Sequence, residues 1–262
     1  MVHLSGAPMT GDANIEVRGL SKAFGDKAVF ADLALSIRRG ETLTILGASG
    51  SGKSVLLKTL IGLVEPDRGQ VLVEGADIVP LSEAERVPVR RRVSMLFQGG
   101  ALFDSLSVAA NVAYPLRQQR RFTPGEIAAR VAESLAVVGL PGIEAMMPAE
   151  LSGGMKKRVA LARAVAAEPA VVLYDEPTTG LDPISTRRID DLIRSVQERL
   201  GITSVVVTHD LASAFLVSDR IAMLDGGRIR SIDGVDAFRR SRDPVIRAFV
   251  DAMRPPAATE GP

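Results

Sequence analysis

Apolar positions along this chain fall into two registers. Short runs over 42–46 (TLTIL), 93–97 (VSMLF), 171–174 (VVLY) and 204–208 (SVVVT) read as buried strands. Between them lie stretches with helical spacing. Over 126–138, Ile127, Val131, Leu135 and Val138 form one apolar stripe, with Glu126, Arg130 and Glu133 off it. Further helices are expected over 55–60, 108–116, 156–166 and 185–200. Strands alternating with helices imply a mainly parallel sheet covered on both faces.

Three other segments, 14–18, 27–37 and 70–74, have strand character next to turns. They predict a small, largely antiparallel sheet beside strand 42–46. Residues 220–224 and 228–232 flank Asp225, Gly226 and Gly227 as a hairpin. Over 82–142 the texture changes to a mostly helical insertion between two strands of the central sheet, with Pro115, Pro124 and Pro141 limiting helix length. The expected organisation is a loose N-terminus over 1–13, one α/β unit over 14–250 and a tail over 251–262, with a helical subdomain inside about 86–165.

Composition narrows the partners. A chain of 262 residues with 46% hydrophobic content can bury a sizeable core. It has no cysteine, so no disulfide framework is possible, which suits a reducing compartment. A net charge of +1, from 32 basic and 31 acidic residues, does not indicate a nucleic-acid binder. Arg90, Arg91 and Arg92, with Arg117, Arg120 and Arg121, read as solvated surface. The opening residues lack a basic and an apolar leader region, and no 18 apolar residues run together, so neither a secretory leader nor a conventional membrane span is expected. Any membrane role then comes through a partner.

The chemistry begins where strand 42–46 ends. Gly47, Ala48, Ser49, Gly50, Ser51, Gly52, Lys53 and Ser54 fit the phosphate-loop pattern G-x-x-x-x-G-K-[ST] position by position, and Val55 continues into the helix. Glycines let the backbone curl so that N–H groups and a helix N-terminus face one cavity, which favours a polyphosphate. Lys53 can reach the β- and γ-phosphates, and Ser54 can place its hydroxyl on a bridging Mg²⁺. In an open parallel sheet the ligand lies outside the carboxyl ends of the strands. Gln98, Asp175, Glu176 and His209 each follow or end a predicted strand, so they fall along the same rim.

Each of these has a plainer reading. Asp175 and Glu176 are assigned to the Mg²⁺ shell and to polarising the attacking water, against an acidic strand end followed by a Pro turn. His209 is assigned to the γ-phosphate or the water, against a histidine satisfied by a backbone carbonyl. Gln98 is either a sensor of metal and water or ordinary surface. Phe24 is by default a small-sheet core aromatic; exposed, it could stack on a purine base.

Leu151, Ser152, Gly153, Gly154 and Met155 stand between the phosphate loop and VVLYDE, followed by Gly180-Leu-Asp-Pro183 and His209. This set resembles the full motif complement of an ATP-binding cassette ATPase over about residues 14–250. The resemblance implies a P-loop NTPase fold of that type, with ATP and Mg²⁺ as its cofactors. It makes Phe24 the adenine-stacking residue, Gln98 the Q-loop residue, Glu176 the general base, Asp182 part of the D-loop and His209 the switch histidine. It also implies that Ser152, Gly153 and Gly154 serve ATP held by a second copy, so that one chain is half of a head-to-tail pair.

The stretches GASGSGKSVLLKTLIGL, FQGGALFDSLSVAANVAYPLR and ELSGGMKKRVALARA most resemble the ATPases of Mla/Mce-type lipid transport systems. That likeness implies an integral membrane permease, an MCE-domain lipid-binding subunit and a small regulatory subunit as partners, no nucleic acid, and a place on the cytoplasmic face of the inner membrane. Phe97, Ala101, Leu102 and Phe103 would line an apolar groove for the permease, with core packing the rival for Phe97. Met155 replaces a commoner Gln, and Phe24 a frequent Tyr. The alternatives are a cassette ATPase for small-solute uptake, and a non-transport cassette protein acting on ribosomes or DNA, though the latter often carries two cassettes or a large coiled-coil insertion.

Overall fold

The structure is a computed structural model that describes residues 13–252. The expected N-terminal stretch before Ala13 and the tail beyond Ala252 lie outside the described residues. In chain order the strands are β1 (Ala13–Phe24), β2 (Lys27–Arg38), β3 (Thr42–Leu46), β4 (Arg68–Val73), β5 (Ala76–Asp77), β6 (Val93–Leu96), β7 (Val171–Asp175), β8 (Thr203–Thr208), β9 (Arg220–Asp225) and β10 (Arg228–Gly234). The helices are α1 (Lys53–Leu60), α2 (Glu83–Arg92), α3 (Val108–Gln119), α4 (Pro124–Val137), α5 (Gly153–Val165), α6 (Pro183–Leu200), α7 (Leu211–Val217), α8 (Val235–Arg239) and α9 (Pro244–Ala252).

The central sheet has the order β10-β9-β3-β8-β7-β6, parallel throughout except for the antiparallel edge strand β10. A second sheet, β2-β1-β4-β5, is antiparallel. Every residue of β3, β7 and β8 is buried, as expected of parallel strands covered on both faces. Alternation then divides the residues between two cores. Val172, Tyr174 and Val206 join the cluster formed with α3 to α6, whereas Val171, Leu173, Val205 and Val207 join the one shared with α1 and the antiparallel sheet. A smaller core around Phe238, Ile246 and Val250 docks α8 and α9 against β9.

The insertion lies between the neighbouring strands β6 and β7. It therefore starts after residue 96 and not at 82, because α2 precedes β6. Pro124 opens α4 behind the N-cap Thr123, whose side chain and that of Glu126 cap each other's backbone N–H groups. Pro115 does not end its helix; α3 runs through it to Gln119. The apolar stripe of α4 is realised, with Val131, Leu135 and Val138 buried and Ile127 packed on the same core. Two arginines of the cluster pair within the chain, Arg90 with Glu83 at 2.7 Å and Arg92 with Glu74 at 2.8 Å. Among the described residues, no helix is long and apolar enough to cross a membrane.

Candidate functional site: a phosphate-loop cleft

Between β3 and α1 the chain bends through residues whose geometry admits little but glycine. A Cβ on Gly47 would stand 2.6 Å from the Leu224 carbonyl oxygen and 2.8 Å from Ser51 Oγ. At Gly52 the φ is +100° and a Cβ would meet Val29 Cγ1 at 2.6 Å, so both backbone and space demand the smallest residue. Gly52 is the N-cap of α1 and supplies no side-chain cap, which leaves the first N–H groups of the helix for a ligand. Ser51 Oγ is buried without a hydrogen-bond partner among the described residues.

Lys53 is buried at the base of this loop. Its Nζ donates to the carbonyls of Gly47 at 2.8 Å and Ala48 at 3.0 Å, and Glu176 Oε1 lies 3.9 Å away. Burial lowers the Lys53 pKa, and the carboxylates of Glu176 and Asp175 offset part of that. An ammonium held by loop carbonyls beside open helix N–H groups is a cradle for phosphate oxygens.

Ser54, one residue on, donates from Oγ to Asp175 Oδ1 at 2.7 Å. The hydroxyl and carboxylate expected to share Mg²⁺ are thus in direct contact. This small, hard oxygen set suits an ion that keeps most of its waters and takes phosphate oxygens. Among the described residues there is no cluster of three or more His, Asp or Glu that could hold a metal.

Asp175 ends β7, but Glu176 has left the strand. Its φ of +48° is left-handed, and this turn sends the two carboxylates to different partners. Such a conformation costs of the order of 1–3 kcal/mol in a non-glycine residue and persists only where the surroundings fix it. Glu176 N donates to the Val207 carbonyl at 2.9 Å, and His209 Nδ1 stands 2.9 Å from Glu176 Oε2. The histidine is therefore met by a carboxylate, not by a backbone carbonyl.

A cleft of about 610 Å³ collects these groups. Ser49 to Val55, Gln98, Glu176 and His209 line it, and Phe24 forms part of its wall. Phe24 is 53% exposed, which removes the core-aromatic reading. Gly47 and Ala48 lie behind the lining and act through the carbonyls that hold Lys53. Sequence reasoning missed further lining residues, Lys27 to Val29 and the turn Gly226-Gly227, because they matter for where the strand and hairpin put them. It also missed the Thr179 and Thr208 hydroxyls, 3.2 and 3.4 Å from Glu176 Oε2, although Thr208 directly precedes His209.

Besides Gly47, Ala48 and Asp175, which reach the cleft only through Lys53 and Ser54, the expected residues Ser152, Gly153, Gly154 and Asp182 are not in its lining. Ser152 caps α5, accepting from Met155 N at 3.2 Å, and Asp182 caps α6, accepting from Ile184 N and Ser185 N at 3.0 Å each. The two caps are neighbours, since a Cβ on Gly154 would lie 3.6 Å from Ser185 Oγ. Hydrogen bonds from the Ser185 side chain and backbone hold the Asp182 carboxyl below its ordinary range.

Comparison with known proteins bears on this arrangement. The family described as "ABC transporter" matches residues 30–179. The chain is 44% identical over 236 residues to the "Intermembrane phospholipid transport system ATP-binding protein MlaF" of Haemophilus influenzae, covering 90% of this chain and 89% of that protein. It is 41% identical over 249 residues to the "Probable ribonucleotide transport ATP-binding protein mkl" of Mycobacterium tuberculosis, covering 95% of this chain and 69% of that protein. Among solved structures, a dimeric, post-hydrolysis state of the ATP-binding cassette MJ0796 bound to ADP and Pi superposes with a TM-score of 0.78 at 31% identity, covering 84% of this chain and 98% of that one. The cassette cbiO1 of Clostridium perfringens superposes with a TM-score of 0.80 at 29% identity, covering 91% and 98%. Sequence likeness and cleft geometry agree on one chemistry, and the chain belongs to the ABC transporter family as an ATPase subunit that binds ATP with Mg²⁺ and hydrolyses it.

Proposed function

We propose that this chain works as half of a head-to-tail pair whose ATP hydrolysis drives a membrane permease moving phospholipid or another hydrophobic lipid across a bacterial envelope. One observation carries the paired reading. Lys53, Ser54, Gln98, Glu176 and His209 share a cleft from which Ser152, Gly153 and Gly154 are absent. A helix start bearing Ser-Gly-Gly suits a γ-phosphate, and a second copy brings one to each cleft. The structure of MJ0796 is described as dimeric, which supports this reading.

Within each cleft the roles follow from chemistry. Phe24 stacks on the adenine, while the loop N–H groups and Lys53 bind the phosphates. Ser54 and Asp175, with Gln98, would hold Mg²⁺, which when bound would shield phosphate charge. Glu176 takes the proton of the attacking water as general base. His209, with Nδ1 donating to Glu176, fixes that carboxylate and keeps Nε2 for a second partner. Asp182 positions the start of α6 beside the signature turn.

The lipid substrate rests on likeness to relatives named for intermembrane phospholipid transport. The permease would meet the insertion. There Phe103 and Tyr114 are exposed with ring centroids 4.8 Å apart, whereas Leu102 packs against the helical core and is withdrawn from the expected groove. On this reading the chain is held by its permease at the cytoplasmic face of the inner membrane, with an MCE-type lipid-binding subunit and a small regulatory subunit as further partners. Relatives named for ribonucleotide transport supply a second reading. Affinity isolation of the intact membrane complex, with identification of its subunits and co-purified lipid, tests both. Bound phospholipid and an MCE-type subunit support the first reading; a soluble receptor for a small solute contradicts it.

A further inference from the structure

One buried cation links the signature helix to the carboxylate at the cleft. Lys157 lies on α5, the helix capped by Ser152, and is only 7% exposed. Its Nζ donates to the carbonyls of Pro177 at 2.7 Å and Thr179 at 2.6 Å. Among the described residues no carboxylate lies within ion-pair distance of it, so the ammonium is satisfied by main-chain dipoles alone. Burying a charge this way is costly, and burial pulls the Lys157 pKa down, with the more distant Glu176 carboxylate opposing. A packing role would be met by an apolar side chain of similar length.

The two carbonyls belong to the segment immediately after Glu176. Thr179 returns to that residue twice, donating from Oγ1 to Oε2 at 3.2 Å and from its backbone N to the Glu176 carbonyl at 3.3 Å. Lys157 thus grips the segment whose Thr179 hydroxyl meets the Glu176 carboxylate and whose Thr179 N–H meets the Glu176 carbonyl. Lys157 follows Ser152 by five residues, which along a helix is about 7.5 Å. Lys157 therefore links the helix that starts at the signature turn to the segment that follows Glu176.

We propose that Lys157 is a positioning residue for hydrolysis. It clamps residues 177–179 so that Thr179 holds Glu176 in its productive orientation, and it ties that orientation to the place of the signature turn. The proposal rests on the reading of Glu176 as the base.

The test uses the full-length chain carrying Lys157→Met, with Glu176→Gln in parallel. Steady-state ATP hydrolysis and hydrogen exchange of the nucleotide-free protein are measured. Lys157→Met is expected to lower kcat about tenfold with KM for ATP within about twofold, the pattern of a misplaced group rather than of lost binding. Exchange at the amides of Thr179 and Leu181 rises, while that of residues 47–54 stays at the wild-type rate. Wild-type kcat in this variant, or a loss confined to KM, overturns the proposal. If Glu176→Gln itself hydrolyses ATP normally, the base reading fails first; if it is inactive while Lys157→Met is fully active, only the role of Lys157 falls. Should Lys157→Met not fold, Thr179→Val replaces it, keeping the carbonyl acceptor and deleting the hydroxyl. It too lowers kcat at unchanged KM, and wild-type kcat overturns the proposal.

Discussion

His209 Nδ1 and Glu176 Oε2 lie 2.9 Å apart, bridging the ends of β8 and β7. The Thr179 and Thr208 hydroxyls meet the same oxygen, and Oε1 faces the Lys53 ammonium at 3.9 Å. The carboxylate is therefore oriented by the fold itself, a form of preorganisation that removes reorientation from the reaction step. Glu176→Gln keeps this shape and loses the proton acceptor. Its kcat is expected to fall by roughly 10² or more with ATP affinity retained, read by phosphate release and nucleotide titration. Normal turnover would remove the general-base role.

Lys53 contributes to binding directly. Lys53→Ala deletes the ammonium that the Gly47 and Ala48 carbonyls hold ready for phosphate. Affinity for a fluorescent ATP analogue should drop at least about tenfold, in keeping with the loss of a charge-assisted contact. Unchanged affinity would contradict the charge role.

Phe24 stands at the cleft wall with half its surface free and Lys22 Nζ 5.2 Å from its ring centroid. Phe24→Ala should weaken ATP binding about tenfold and leave inorganic triphosphate binding alone, since base–aromatic stacking is worth about 1–3 kcal/mol. Phe24→Tyr should retain affinity. Equal weakening for both ligands would show that the ring does not meet the base.

Stability should depend on pH through Asp190. This α6 residue is 3% exposed, accepts from Ser213 Oγ at 2.9 Å and has its Oδ1 unpartnered among the described residues. Burial pushes its pKa up to about 6; Asp210 and Asp191 add to this, and the Ser213 hydrogen bond and Arg187 oppose it. A carboxyl that holds its proton more tightly folded than unfolded contributes most below the unfolded value of about 4, and that contribution is lost as pH rises past about 6. Asp190→Asn should flatten this slope and be more stable than wild type by about 1–3 kcal/mol at pH 8. Parallel urea-unfolding profiles at pH 4, 6 and 8 would contradict it.

Much of the site was legible because its residues sit where strands stop. Runs such as TLTIL and VVLY mark their own ends, and in a parallel sheet those ends share one rim. What stayed hidden depends on tertiary placement. The exposure of Phe24 follows from its position at the β1–β2 turn, and the two lining glycines of the β9–β10 turn reach the cleft only because β9 pairs with β3. Helix α2, with its many charges and internal Pro88, carries little apolar periodicity; its Arg86 is buried against the Ile78 and Val79 carbonyls instead. The role of Lys157 is equally invisible in sequence, since a lysine on an Ala-rich helix ordinarily points to solvent.

The proposed mechanism needs a cleft completed by a second copy. Mixing Lys53→Ala chains with Ser152→Arg chains tests this, because each variant alone carries a defect in every shared site. In a mixed pair, both defects fall in one site and the other has an intact loop from one chain and an intact signature turn from its mate. ATP turnover should therefore reappear on mixing, at roughly a quarter of the wild-type rate for random pairing and independent sites. A mixture as inactive as its two components would contradict the shared site.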